Sequence, residues 1–229
     1  MINHHPSLDI LQSYVKAELP ASITVAVSLH VDMCATCKAI VDAKTAEVAD
    51  VELATQDYVT DGEFETQMPS GTEPELDLEN MLNAITQDDS LARMEPTAQK
   101  FFEAGNKTLP IPRALSNINF GDWLNLGKLS RSRMEIPDGN LRSSMLYIGA
   151  GGEVPHHTHN GFEITLILDG SFTDEMGSYG VGDFMWLNGE HKHQPETVEG
   201  CLCYTVVSDS LHFSHGVSRL LNPIGRLIY

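Results

Sequence analysis

The chain is poor in basic residues and has no long apolar run. Its 229 residues include 14 lysines and arginines against 32 aspartates and glutamates, which gives a formal net charge of −18. Nucleic-acid binding needs basic side chains that neutralise phosphates, so this charge argues against direct nucleic-acid binding. No run of 18 apolar residues occurs, and we therefore expect no membrane-spanning helix and no membrane partner.

Cysteines are also few, and the four present fall in two close pairs. The N-terminal residues lack the basic and apolar regions of a secretory signal, which favours a cytoplasmic protein whose thiols stay reduced. Metal or redox chemistry is then expected rather than a disulfide framework. Cys201 and Cys203 share one face of a predicted strand, a spacing poorly suited to a disulfide, and are expected to serve in packing.

Apolar residues at helical spacing predict three helices in the first quarter of the chain, over residues 7–18, 21–30 and 34–54. No lysine or arginine occurs between Lys44 and Arg93. The stretch of about residues 60–75 is rich in glycine, proline and acids, which predicts an acidic linker. A short amphipathic helix is predicted after it, over residues 76–85.

From about residue 119 the pattern changes to short runs of β-branched and aromatic residues separated by glycines. This pattern is typical of an all-β barrel or sandwich. The chain is therefore predicted to contain two domains, a small helical bundle followed by an all-β domain. The predicted limits are 1–90 for the helical domain, 91–118 for a connector with a helical turn over residues 99–104, and 119–229 for the β domain.

The segment HVDMCATC contains His30, Cys34 and Cys37 at the spacing His-x3-Cys-x2-Cys. Cysteines at i and i+3 form a chelating turn, and a helix start favours their thiolate forms. A fourth ligand would close a tetrahedral zinc site, and His4 and His5 are the nearby histidines. The alternatives are a pair of core cysteines, a redox Cys-x-x-Cys pair, and an ordinary surface role for His5.

A second group of metal-binding residue types lies in the β region. His157 and His159 stand at i and i+2, so both can point to one face of a strand, and Glu163 opens the next strand. His193, or alternatively His191, can complete the set from a later hairpin. Three histidines and a carboxylate inside a small barrel suit Zn, Fe, Mn or Ni.

These motifs resemble known ones. The framework from Gly151 to Gly170, Gly-x5-His-x-His-x3-Glu-x6-Gly, resembles the first cupin motif, and GVGDFMWLNGEHKHQP resembles a degenerate second motif that lacks the usual proline-x-glycine turn. A helical His…His-x3-Cys-x2-Cys module followed by a cupin barrel resembles the ChrR family of zinc-binding cupin anti-sigma factors. The resemblance covers nearly the whole chain and is thinnest between about residues 60 and 119.

The resemblance implies two metal sites and a protein partner. The implied zinc ligands of the N-terminal anti-sigma domain are His5, His30, Cys34 and Cys37, and the implied cupin ligands are His157, His159, Glu163 and His193. The implied activity is inhibition of an extracytoplasmic-function-type sigma factor, released on oxidative stress of the singlet-oxygen kind sensed through the cupin domain. The cupin metal is expected to be zinc or another divalent ion such as Fe, Mn or Ni.

Two apolar helix faces are candidate partner-binding surfaces. They comprise Leu8, Leu11, Tyr14 and Val15 on the first helix, and Leu78, Met81, Leu82 and Ile85 on the helix after the linker. The first face can equally well pack within its own bundle. The strong acidity of the chain suits a partner with basic DNA-binding surfaces.

Two other functional classes fit parts of the pattern. A cupin with three histidines and a glutamate can bind Fe(II) and act as a dioxygenase or isomerase, with the helical module as a regulatory segment. A cupin ligand sensor without a sigma partner would leave the N-terminal motif unexplained. The favoured expectation is a regulator rather than an enzyme, with no catalytic residue.

Overall fold

The structure, a computed structural model, describes residues 2–55, 77–88, 99–104, 107–209 and 211–213. The predicted acidic linker of about residues 60–75 and the first part of the predicted connector, residues 91–98, lie outside the described residues. Residues 1–50 and 100–229 form one compact unit, and residues 51–99 form another. The domain limits expected from the sequence stay a prediction.

Four helices are described: α1 Leu8–Val15, α2 Ala21–Met33, α3 Ala35–Thr55 and α4 Leu78–Thr86. Ser7 caps α1, because its hydroxyl accepts a hydrogen bond from the Ile10 N–H at 3.3 Å. Asp77 caps α4 in the same way, at 3.0 Å from the Asn80 nitrogen. Helix α1 ends earlier than expected, since Ala17 adopts a left-handed backbone with φ of 56°.

Among the described helices, no single one is long and apolar enough to cross a bilayer, and α2 and α3 reach that length and composition only as a pair bent by 115°.

Eleven strands are described: β1 Phe101–Ala104, β2 Lys107–Pro110, β3 Phe120–Leu126, β4 Leu129–Met134, β5 Arg142–Ile148, β6 His157–His159, β7 Glu163–Asp174, β8 Gly177–Gly180, β9 Phe184–Leu187, β10 Cys201–Val207 and β11 Leu211–Phe213. The main sheet has the order β3-β4-β5-β10-β7-β8, and β9 pairs with the start of β7. Strands β6 and β11 form a second, two-stranded sheet. The predicted all-β class of this region is confirmed.

The helical turn expected over residues 99–104 is wrong. Residues Phe101–Ala104 form strand β1, which pairs antiparallel with β2 in a hairpin. Phe102 stands opposite Leu109 and stacks on Phe120 at a ring separation of 6.4 Å. Pairing with β2 and aromatic packing decide the conformation of this short segment, and neither is visible in local periodicity.

Helix α2 packs against β7 and β10 of the barrel within the same compact unit. Its buried residues include Ile23, Ala26 and Val27. Two hydrogen bonds fix its first turn: the Tyr204 hydroxyl donates to the Ser22 carbonyl at 2.8 Å, and the Ser22 N–H donates to Asp138 Oδ2 at 2.7 Å. The helical segment and the barrel therefore share one core.

The two apolar helix faces differ in exposure. On α1, Leu8 is exposed, Tyr14 and Val15 are half-buried, and Leu11 is only 1% exposed. Leu11 therefore has a packing role in this structure, as the alternative for that face anticipated. On α4, the four predicted residues have exposures between 51% and 67%: Leu78, Met81, Leu82 and Ile85.

Candidate metal centres

The N-terminal cluster consists of His5, His30, Cys34 and Cys37 and forms where α2 turns into α3. His30 lies in the last turn of α2, Cys34 is its C-cap, and Cys37 lies in the first turn of α3. His5 comes from the extended segment before α1. The 115° bend between α2 and α3 brings the three helical residues to one point, and the four side chains predicted from the sequence are brought together.

The ligand atoms of the N-terminal cluster have the spacing of a tetrahedral site. His5 Nδ1 lies 3.4 Å from His30 Nε2, 3.4 Å from Cys34 Sγ and 3.4 Å from Cys37 Sγ. His30 Nε2 lies 3.2 Å from Cys37 Sγ. Metal–nitrogen bonds of ~2.0–2.1 Å place two nitrogens about 3.3 Å apart on a tetrahedron, and thiolate distances are slightly longer.

The protonation of these groups also fits a cation. Burial and the neighbouring Cys34 raise the pKa of the Cys37 thiol to about 12, so a bound cation is needed to hold it as a thiolate at neutral pH. Burial lowers the pKa of His30, with a partial offset from its hydrogen bond to the Gly182 carbonyl. In a neutral His30 the Nδ1–H group donates to that carbonyl, and the Nε2 atom presents its lone pair to the cluster. Two histidines and two cysteines are a usual closed shell for zinc.

The barrel cluster consists of His157, His159 and His193, which converge inside the β barrel. His157 and His159 point to one side of β6, as the i, i+2 spacing predicts, and both are buried. His193 stands opposite His157 in an antiparallel bridge. Its Nε2 lies 3.1 Å from His157 Nε2 and 3.4 Å from His159 Nε2.

Hydrogen bonds on the outer side of the barrel cluster orient two of its three rings. His157 Nδ1 donates to the Pro155 carbonyl at 2.8 Å, and His193 Nδ1 donates to Asp174 Oδ2 at 2.9 Å. Burial lowers the pKa of His157 to about 4, so its ring is neutral near pH 7. The Nε2 atom of His157 therefore presents a lone pair to the point where the three rings converge, and three buried histidine nitrogens, two of them 3.1 and 3.4 Å from His193 Nε2, fit a metal.

The two remaining candidates of this region lie outside the converging set. Glu163 Oε2 is 3.1 Å from His159 Nδ1, and Glu163 Oε1 accepts a hydrogen bond from the Thr165 hydroxyl. The carboxylate thus borders the barrel cluster, and its role as a ligand stays a prediction. His191 is half-buried and its Nδ1 contacts Asn188, so the structure places His193 rather than His191 in the cluster.

Several residues around the two clusters were not predicted. Asp174 accepts a hydrogen bond from His193, and the Gly182 carbonyl accepts one from His30. The partners are 19 and 152 residues apart in the chain, so local spacing does not reveal them. A cavity of about 50 Å³ adjoins the barrel cluster, and Cys203 is one of its lining residues. Alternation along β10 could have pointed to Cys203, since it faces the barrel interior.

Replacing His157 and His159 together by alanine is expected to remove the barrel metal. The variant should lose one metal equivalent per chain while the N-terminal cluster keeps its own, because the two clusters share no ligand. Metal content by atomic emission measures this. His156→Ala with His191→Ala removes two neighbouring histidines and should leave the content unchanged; a loss there equal to that of the ligand variant would contradict the assignment.

Two sequence comparisons relate the chain to known proteins. Residues 123–210 match the family model of the ChrR cupin-like domain. The chain is 26% identical over 230 residues to the anti-sigma-E factor ChrR of Cereibacter sphaeroides, and the match covers 99% of both chains. The resemblance to the ChrR family expected from the motifs is thereby confirmed.

A similar solved structure supports the fold. A structure of Rhodobacter sphaeroides SigE in complex with the anti-sigma ChrR matches with a TM-score of 0.57 and 24% identity, and the match covers 90% of this chain and 99% of that one. An RmlC-like cupin protein from Ralstonia eutropha matches 43% of this chain and 68% of its own, with a TM-score of 0.38 and 18% identity. The first likeness confirms the predicted helical segment followed by a cupin barrel.

Proposed function

We propose, from the premise that residues 123–210 are a ChrR cupin-like domain, that this chain is a zinc-dependent anti-sigma factor. It would act in the cytoplasm, bind an extracytoplasmic-function-type sigma factor, and release it under oxidative stress sensed through the barrel. The observation that carries the proposal is the closed set of four ligands in the N-terminal cluster, found in a chain similar over 99% of its length to an anti-sigma factor.

In this proposal the N-terminal cluster is structural. Its four ligands leave no open position for substrate, and they join the segment before α1 to the corner between α2 and α3. Zinc bound there would fix the angle between the two helices. The sigma-binding surface would then depend on zinc without any part of it contacting the metal.

The charge of the chain supports a basic protein partner. A net charge of −18 attracts the DNA-binding surfaces of a sigma factor and repels competing nucleic acid. The anti-sigma domain would occupy residues 1–90, and the exposed apolar face of α4 is the candidate contact. Leu8 of α1 is a second exposed candidate.

The barrel would carry the response to the signal. Its three histidines fit Zn or another divalent ion, and the adjoining cavity of about 50 Å³ admits only a very small molecule. A small oxidant fits such a volume. The expectation of a non-enzymatic role is supported by the relative from Cereibacter sphaeroides, which is an anti-sigma factor.

Co-expression with the extracytoplasmic-function-type sigma factors of the same genome tests the proposal. We expect one of them to co-purify with the full-length chain at equal stoichiometry, with zinc in the N-terminal cluster, and to be released when a strong chelator removes the zinc. Failure of every such sigma factor to bind the zinc-loaded chain would refute the proposed function.

Charging the apolar face of α4 should weaken the sigma complex without unfolding the protein. Leu82→Asp with Ile85→Asp places two carboxylates where we expect apolar burial, and affinity should fall at least tenfold. Both residues are exposed, so the free energy of unfolding should change by no more than about 1 kcal/mol, which is about 0.5 kcal/mol for each substitution. Calorimetric titration measures the affinity. Val198→Asp, at an exposed apolar position of the barrel, is the matched control, and equal weakening by it would contradict a specific role of α4.

A further inference from the structure

The turn between β8 and β9, Gly180–Phe184, contacts the residues that hold the N-terminal cluster, although it belongs to the barrel. The Gly182 carbonyl accepts the hydrogen bond from His30 Nδ1 at 2.7 Å. This bond fixes the orientation of the ring and leaves Nε2 for the metal. Gly182 has a φ of +89°, and a Cβ there would overlap Ile2 Cδ1, so the turn approaches the N-terminal segment closely.

Asp183 of the same turn holds the backbone just before His5. Its carboxylate is buried, with an exposure of 3% for the residue, and Oδ1 accepts hydrogen bonds from the N–H groups of Asn3 and His4 at 2.7 and 3.0 Å. Oδ2 accepts one from the Gly180 N–H at 2.8 Å. The Phe184 N–H donates in turn to the His4 carbonyl at 3.0 Å. Three hydrogen bonds therefore connect this turn to the N-terminal segment, and a fourth, from Gly180, fixes the Asp183 carboxylate within the turn.

His5 depends on this arrangement more than the other three ligands do. It is exposed, whereas His30, Cys34 and Cys37 are buried. Those three belong to helices or their caps, but His5 lies in an extended segment. The residues before it are hydrogen-bonded to Asp183, and the residue that caps α1, Ser7, follows two positions after it. Its imidazole reaches the cluster only if the preceding backbone is held in place.

We propose that the β8–β9 turn is the outer shell of the N-terminal metal site, with Asp183 as the positioning residue for His5 and Gly182 as the acceptor that orients His30. The inference rests on the proposed metal in the N-terminal cluster and is independent of sigma binding. It gives the barrel a second role, because metal affinity at the N-terminal cluster is then set in part by residues about 150 positions away in the sequence.

Cobalt(II) bound to the full-length chain tests this inference. Thiolate-to-cobalt charge transfer reports the N-terminal cluster alone, because the barrel cluster contains no cysteine. Asp183→Asn keeps the shape of the side chain but replaces one acceptor oxygen by an amide donor that faces backbone N–H groups. We expect the cobalt affinity measured from the charge-transfer band to fall about 10- to 100-fold.

Tyr204→Phe is the matched control for a merely structural effect. It removes a hydrogen bond of 2.8 Å between the same barrel and α2, but no residue next to a ligand is touched. Its cobalt affinity should stay within twofold of that of the original protein. An equal loss in both variants, or no loss in Asp183→Asn, would overturn the inference.

Asn3→Pro gives a decisive result if Asp183→Asn does not fold. Asn3 is exposed, and proline removes one of the two N–H groups of the N-terminal segment that donate to Asp183, while leaving the carboxylate in place. We expect a several-fold loss of cobalt affinity, and an unchanged affinity would overturn the inference. Absence of any charge-transfer band in the original protein would instead refute the N-terminal metal site itself.

Discussion

Replacing Cys34 and Cys37 together by serine is expected to abolish both zinc binding at the N-terminal cluster and sigma binding. Structural zinc sites contribute on the order of 10 kcal/mol to the folding of small metal-dependent modules, and a hydroxyl is a poor substitute for a thiolate. Without the metal, the buried His30 and the exposed His5 lose their common partner, and the corner between α2 and α3 is released.

The measurement combines metal content with co-purification of the sigma factor. The variant should contain one zinc equivalent fewer per chain and should not retain the partner. Cys201→Ala with Cys203→Ala removes the same number of thiols from β10, outside the N-terminal cluster, and should keep that zinc. Retention of both zinc and sigma binding by the serine variant would refute the zinc dependence.

Replacing Gly170 by alanine should destabilise the barrel by about 2–5 kcal/mol. Gly170 has a φ of +75°, and a left-handed backbone costs a non-glycine residue ~1–2 kcal/mol. A Cβ would also overlap the Gly200 carbonyl oxygen, and overpacking of this kind adds about 1–3 kcal/mol. The backbone of β7 or β10 would have to move, since Gly170 pairs with Cys201 across these central strands.

Gly127→Ala separates the two contributions. Gly127 has a φ of +65°, but nothing lies within 4 Å of the position that an alanine methyl group would take, so only the backbone cost applies and the loss should be about 1–2 kcal/mol. Urea unfolding followed by tryptophan fluorescence measures both variants. Equal losses in the two would show that the close approach of the Gly200 carbonyl contributes nothing.

Local spacing predicted much of the two metal clusters. His157 and His159 converge because alternate residues of a strand face one side, and His30, Cys34 and Cys37 converge because they lie within two turns of a helix corner. Both relations depend on backbone geometry alone. The start of α1 was equally accessible, since its cap, Ser7, is encoded locally.

Contacts between distant segments were not predictable in the same way. The choice of His193 over His191 depends on the bridge between residues 157 and 193, and only a register shift of two residues would have placed His191 there instead. The role of Asp183 depends on the N-terminal segment crossing the β8–β9 turn, at a separation of 180 residues from Asn3. Strand β1 likewise depends on its partner β2 rather than on its own periodicity.

The hydrogen bond from the Ser22 N–H to Asp138 makes the start of α2 depend on a residue of the β domain. Helix α2 begins after Pro20, which offers no side-chain acceptor for the free N–H groups of the first turn. Asp138 of the barrel supplies that acceptor, and thus acts as the N-cap of a helix that lies 116 residues earlier in the sequence. A fragment that ends before the barrel would lose a cap worth about 0.5–2 kcal/mol, so its α2 should fray from the first turn.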